Sequence, residues 1–119
     1  MAAAETTATV PSWFSVYGAQ RGLHWRADGG TVHVWGGRLN IHGTYAVVRP
    51  ADCECYYHAA TTECALALAQ ELALHFAALV VVTGTALEVR CVERKPGLGT
   101  DIYNFCCHFS TGWLRRRGV

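Results

Sequence analysis

Charged residues are scarce in this sequence of 119 residues. Ten basic and nine acidic side chains make up 16% of the chain, against roughly 25% in an ordinary soluble domain. The two signs nearly cancel to a formal net charge of +1, so no overall field would attract a nucleic acid or a membrane. A shortage of surface charge is typical of a protein that covers part of its surface with a second copy or with another protein.

No apolar run is long enough to cross a bilayer, which needs about 18 residues or more. The longest candidate, residues 65–82, is interrupted by Gln70, Glu71 and His75. The first nine residues are small and polar, and they lack the basic and apolar regions of a signal peptide. We therefore expect no membrane partner and an intracellular, reducing location. In such a compartment the six cysteines stay reduced thiols rather than disulfides.

The sequence also lacks a recognisable catalytic motif. It has no nucleophile elbow and no Ser-His-Asp order, and few carboxylates lie near its six histidines. The glycines of Gly97-x-Gly99 lie between predicted strands, whereas a phosphate-binding loop needs a helix N-terminus behind it. The sequence predicts a protein that is not an enzyme.

Short segments of alternating polarity, separated by glycines, predict an antiparallel sheet. Asp28-Gly29-Gly30 is the strongest turn signal among them. Hydrophobic residues make up 51% of the chain, enough for one core at a common single-domain length. The predicted strands cover residues 13–17, 23–26, 31–35, 38–42, 44–48, 80–82, 86–94 and 102–109.

One helix is predicted after residue 60. Thr61 or Thr62 can cap it, and Glu63 in its first turn is favoured by the helix dipole. Apolar residues then recur at spacings of three and four, which places them on one face. They are Cys64, Leu68, Leu72, Phe76 and Leu79. The fold class is therefore α+β, an antiparallel sheet with one principal helix packed on one face.

The chain divides into three parts by composition. Residues 1–10, rich in Ala and Thr, predict a flexible arm, and residues 11–114 predict a single α+β domain. Residues 115–119 form a basic tail that holds Arg115, Arg116 and Arg117. Three arginines at a chain end are typical of a solvated tail, although such a run can also act as an import signal or contact phosphate. Nucleic acid is not an expected partner.

Cys53, Cys55, His58 and Cys64 form the densest group of metal-ligand residues. Three thiols and one imidazole suit a tetrahedral zinc site. Zinc knuckles usually have two residues between paired cysteines, and here there is one. The group predicts either a small zinc-binding adaptor module or ordinary thiols that precede a helix.

The stretch from Tyr56 to Phe109 resembles a known family. Tyr57-His58 is followed by a helical run from Cys64 to Leu72, an apolar β segment, a glycine loop, an acidic residue and His108-Phe109. This order and spacing are similar to the second half of the small protein encoded by open reading frame three of adenovirus early region four. The chain length is similar as well.

The resemblance implies a non-enzymatic viral early protein. Proteins of that family form dimers, which assemble into networks in the host nucleus through an exchanged C-terminal segment. The networks capture host proteins and disrupt nuclear bodies linked to antiviral defence and DNA repair. On that basis Phe109, Trp113 and Leu114 are the expected interface residues, the partners are the protein itself and host proteins, and the location is the host nucleus.

Overall fold

A computed structural model describes residues 11–14, 16–37, 39 and 53–117 of the chain. The fold is α+β with an antiparallel sheet, as the sequence predicts. No helix in the described ranges is long and apolar enough to span a membrane. The elements are α1 (Val16–Gln20), β1 (Leu23–Asp28), β2 (Thr31–Gly36), β3 (Cys53–His58), α2 (Thr62–Phe76), β4 (Ala78–Thr83), β5 (Ala86–Cys91) and α3 (Leu98–Arg116).

The five strands lie in the order β1-β2-β4-β5-β3, and every neighbouring pair is antiparallel. Two hairpins build most of this sheet. The β1–β2 turn uses Gly29 and Gly30 at φ values of 56° and 84°, a left-handed conformation that glycine adopts readily. The predicted turn there is confirmed. Strand β3 adds to the outer side of β5, so that β1 and β3 are the two outermost strands of the sheet formed by the described residues.

Helix α2 begins where the sequence predicts. The Thr61 hydroxyl caps it by accepting a hydrogen bond from the Cys64 backbone N–H at 3.1 Å. Cys64, Leu68 and Leu72 are buried, which confirms most of the predicted apolar stripe. The helix ends at Phe76, and the chain turns directly into β4. The prediction was wrong for Leu79, because that residue belongs to β4.

The main core lies between the helices and one face of the sheet. Strand residues directly opposite each other share a face, so the register places Cys55, Val89, Val80 and Val34 in one row across this face. All four are buried in the main cluster with the apolar residues of α2. Ile102 and Cys106 of α3 are fully buried in the same cluster. The core thus joins both long helices to the sheet.

The opposite face of the sheet carries a smaller apolar cluster. Trp35, Leu79 and Val81 are buried there, and Leu39 packs against them. His33 lies in the same row as Val81 and is 5% exposed. Burial lowers the pKa of His33, and the Arg26 charge lowers it further. His33 is therefore a neutral imidazole near pH 7.

The last predicted strand, residues 102–109, is wrong, because the chain there is helical throughout α3. Alternating Tyr103, Phe105, Cys107 and Phe109 indicated a strand with period two. A second pattern, Ile102, Cys106, Phe109 and Trp113, has the helical spacings four, three and four, and it determines the packing. Arg115 and Arg116 also belong to α3, so the predicted basic tail begins inside a helix.

Two further expectations differ from the structure. The predicted strand at residues 13–17 is wrong, because Pro11–Phe14 form a turn closed by a backbone hydrogen bond of 3.0 Å and a helix begins at Val16. Residues 53–58 were not predicted as a strand, yet they form β3. The predicted arm at residues 1–10 lies outside the described residues, as do nearly all of the predicted strands at 38–42 and 44–48.

Candidate interaction surface at β3 and α3

Helix α3 packs closely against β3 because residue 99 is glycine. A Cβ atom at Gly99 would lie 2.7 Å from the Glu54 backbone oxygen, which is closer than real Cβ contacts. Ser110 lies eleven residues after Gly99 in the same helix, and its hydroxyl accepts a hydrogen bond from the Tyr57 hydroxyl at 3.0 Å. These two contacts fix how α3 lies on the strand.

One row of α3 side chains runs beside the outer edge of β3. Tyr103, Cys107, Ser110 and Leu114 are spaced four, three and four apart, so they share a helix face. The Tyr57 ring lies 5.9 Å from the Tyr103 ring in an edge-on arrangement, which shows that this row faces β3. Tyr103 is 51% exposed, and Cys107 and Leu114 are half-buried.

Tyr56 lies on the other side of the same strand edge. Its register partner is Glu88 of β5, so it projects from the sheet face opposite α3. Tyr56 is 67% exposed, more than any other large hydrophobic side chain in the described ranges. Exposed aromatic rings therefore flank the β3 edge on both faces. We call this edge, together with Tyr56, Tyr57, Tyr103, Cys107 and Leu114, the edge surface.

The acidic side chains of β3 and of its neighbour β5 are paired within the chain. Glu54 forms an ion pair with Arg94, and Glu88 pairs with Arg90 at 2.7 Å. A hydrogen bond with Cys107 raises the pKa of Tyr103, and burial raises the pKa of Tyr57. Both phenols are neutral at physiological pH. The edge surface is therefore an uncharged, largely aromatic region with strand hydrogen-bonding groups at its centre.

Two of the three expected interface residues lie elsewhere on α3. Phe109 and Trp113 stack on each other with ring centroids 6.1 Å apart and pack against the main core. The Arg117 guanidinium lies 3.4 Å from the centre of the Trp113 ring, so Arg117 covers this ring from solvent. Leu114 alone of the three belongs to the edge surface. Arg115, Arg116 and Arg117 are exposed at the end of the helix.

The structure does not assemble the predicted zinc site. Among the described residues, no three His, Cys, Asp or Glu side chains lie together in a way that could hold a metal ion. The thiol of Cys53 donates to the backbone oxygen of Cys55 at 3.2 Å, and Cys64 approaches the Ser110 hydroxyl at 3.9 Å. His58 is exposed on β3. Cys55 and Cys64 are buried in the main core, whereas Cys53 is partly exposed and His58 is exposed, so the four side chains do not converge.

A cavity of about 850 Å³ lies at the end of the sheet where β2 ends and α3 begins. Leu23, Phe76 and Leu98 contribute apolar wall. Arg21, His75, Glu93 and Lys95 supply the polar part of the wall, and Arg21 and the His75 imidazole both contact Glu71, at 3.3 Å and 3.5 Å. Because acidic and basic side chains both line it, the cavity shows no preference for one class of ligand.

Comparisons with known proteins identify no relative. No protein-family model, no curated protein and no solved structure matches this chain. The geometry of the edge surface and the resemblance quoted from the sequence are therefore the grounds for a functional proposal.

Proposed function

We propose that this protein is a non-enzymatic assembly protein that binds a second copy of itself through the edge surface. The observation that carries this proposal is the outer edge of β3, flanked by the exposed rings of Tyr56 and Tyr103. An outer strand presents backbone N–H and C=O groups that can pair with another strand. Many proteins protect such edges with charges or proline, but residues 55–58 contain neither Lys, Arg, Asp, Glu nor Pro.

A second copy fits this edge because a strand can pair with itself around a twofold axis. In such an isologous interface each copy uses the same surface. The two β3 strands would lie antiparallel, and the two sheets would become one continuous sheet. Regular pairing with β5 from Cys55 to His58 leaves this stretch straight enough to pair on its other side. The register shift between Cys53 and Cys55 would end the pairing with the second copy at the start of β3.

Side chains of α3 would complete the interface. The twofold axis makes the two α3 helices antiparallel, with Tyr103, Cys107 and Leu114 of each copy towards the other. Aromatic rings supply a large contact area at low entropic cost and anchor many protein interfaces. The charge content of 16% supports the same proposal, because an interface removes surface that would otherwise need solvating charge.

Light scattering after size-exclusion chromatography tests this proposal directly. The chain mass is 13.0 kDa, and we expect a species of twice that mass that dissociates only on strong dilution. The measurement should cover at least about three decades of concentration, since specific dimers span affinities from micromolar to picomolar. A mass of 13.0 kDa at every concentration would contradict the proposal.

We also propose, from the family resemblance, that the assembled protein is a viral early protein that captures host proteins in the nucleus. The exposed Arg115, Arg116 and Arg117 support a nuclear location, since short basic runs act as import signals. The dimer would present two copies of every host-binding surface and so bind multivalent host partners more tightly. This proposal does not depend on any enzymatic activity.

Nuclear import can be tested with a carrier protein too large to diffuse through nuclear pores. Fused to this chain in human cells, the carrier is expected to accumulate in the nucleus. Replacing the three arginines together, as Arg115→Gln, Arg116→Gln and Arg117→Gln, is expected to return it to the cytoplasm. The matched control is Arg94→Gln, which removes one cation from a different region. If the wild-type fusion protein stays in the cytoplasm, the proposal of a nuclear location is contradicted. That result does not bear on the proposal of self-association.

A further inference from the structure

His33 is a buried titratable side chain on the sheet face opposite the helices. It lies in the middle of β2 and is 5% exposed. Its cross-strand neighbours are Arg26 of β1 on one side and Val81 of β4 on the other. Side chains directly opposite each other on antiparallel strands have Cβ atoms about 4.5–5.5 Å apart. Arg26 and His33 are therefore immediate neighbours on one sheet face.

The negative charges on the strands around His33 are already offset by arginines. Asp28 of β1 lies 4.0 Å from Arg26, and Glu88 of β5 lies 2.7 Å from Arg90. A proton on His33 would therefore add a net positive charge to this part of the sheet. On the three described strands nearest to β2, which are β1, β4 and β5, the ionisable groups that share the face of His33 are His24, Arg26, Asp28, Glu88 and Arg90.

We propose that mild acidification loosens β1 from the sheet by protonating His33. The added charge would be on the residue directly opposite Arg26, whose side chain is 16% exposed. Like charges directly opposite each other on neighbouring strands are destabilising, and burial of a charged imidazole adds a cost of its own. Strand β1 is the element that responds, because in the described sheet it pairs along one edge only, with β2.

The direction of the pH effect follows from the pKa of His33. Burial lowers this pKa below 6.5, the Arg26 charge lowers it further, and Asp28 raises it by less than Arg26 lowers it. A histidine in an open chain keeps a pKa of about 6.5, so the open state binds the proton first as the pH falls. The closed state is fully favoured above about pH 6.5. Below it, the closed-to-open ratio falls by up to about tenfold per pH unit until the lowered pKa is reached.

Loosening β1 would uncover groups that the closed sheet covers. The hydrogen-bonding edge of β2 would lose its partner strand, and the Trp25 ring would leave its edge-on contact with Trp13, whose ring centroid is 5.5 Å away. The opening does not depend on whether the edge surface binds a second copy, because β1 and β3 lie at opposite ends of the described sheet. The acid response therefore stands apart from the proposed function.

Amide hydrogen exchange of the full-length protein, measured by mass spectrometry at about pH 7.5 and about pH 5.5, tests the proposal. Exchange times are scaled for the intrinsic effect of pH on amide exchange. We expect the protection of β1 to fall about three- to tenfold at the lower pH, while β5 loses clearly less. Unchanged protection of β1 would overturn the proposal. An equal loss in β1 and β5 would overturn it as well, because the whole sheet would then be opening.

Variants assign the effect to His33. His33→Gln carries no charge at either pH and should remove the acid response of β1, and Arg26→Gln should weaken it. His58→Gln is the matched control, because it removes an exposed imidazole from the other outermost strand and should keep the wild-type response. A full acid response in His33→Gln would overturn the proposal. An NMR titration of the wild-type imidazoles needs no variant to fold, and a pKa of His33 at or above 6.5 would also overturn it.

Discussion

Tyr56→Lys is expected to convert the proposed dimer to a monomer while leaving its fold intact. In that proposed dimer, with its twofold axis through the β3 edge, the two copies of residue 56 would lie close together on one sheet face. Two ammonium groups placed there repel each other, and juxtaposed like charges in an interface cost several kcal/mol. The dissociation constant should therefore rise at least about 100-fold. Tyr56 is 67% exposed, so the monomer loses little by the change.

Tyr103→Glu tests the same interface from the other side of the sheet. Sedimentation velocity at several concentrations reports the mass of each variant, and circular dichroism reports its fold. Val92→Lys is the matched control, since Val92 is also a large exposed apolar residue, at 41%, but lies outside the edge surface. It should remain dimeric. If both tyrosine variants stay as dimeric as the wild type, the interface lies elsewhere.

Replacing two glycines of α3 by alanine is expected to change the free energy of unfolding in opposite directions. Gly99→Ala is expected to destabilise the protein by about 1–3 kcal/mol, the usual cost of forcing extra volume into a packed contact. The added Cβ would meet the Glu54 backbone oxygen at 2.7 Å. A backbone atom within a sheet moves aside less readily than a side chain, so the start of α3 must lift away from β3.

Gly112→Ala is expected to stabilise the protein by up to about 1 kcal/mol. Alanine loses less backbone entropy than glycine on entering a helix. At Gly112 the nearest atom to the added Cβ is the Arg116 Nη1, 3.5 Å away at the end of a flexible side chain. Urea denaturation gives both free energies of unfolding. Equal effects of the two substitutions would show that α3 does not approach β3 as described.

The hairpins and α2 could be predicted because their signals are local. Gly29 and Gly30 favour the β1–β2 turn, and Thr61 caps α2 by accepting a hydrogen bond from the backbone N–H of Cys64, three residues later. For α3 the local signal was ambiguous, since residues 102–109 alternate and also repeat at helical spacing. The choice between these patterns depends on what the segment packs against, which is β3 and α2. That information is not contained in the segment itself.

The edge surface was harder to find in the sequence than the fold. Tyr56 and Tyr57 lie among Cys53, Cys55 and His58, whose residue types indicate zinc ligands rather than a strand. The sequence signal for a strand is weak there, because Cys55-Tyr56-Tyr57-His58 does not alternate in polarity and only its two tyrosines favour a strand. Leu114 was found from its position near the chain end, but its neighbours Phe109 and Trp113 turn towards the core.

The order of the strands also has a consequence for how the chain folds. Each hairpin closes through a turn of two residues, whereas His58 meets Ala86 across 28 positions (86 minus 58) with a helix and a strand between them. Contacts between distant residues form later, because a longer loop must first be closed. On the ribosome β3 emerges before β5, which is its partner in the described sheet. Until β5 follows, the edges of β3 and β4 that β5 will later join are open to other molecules.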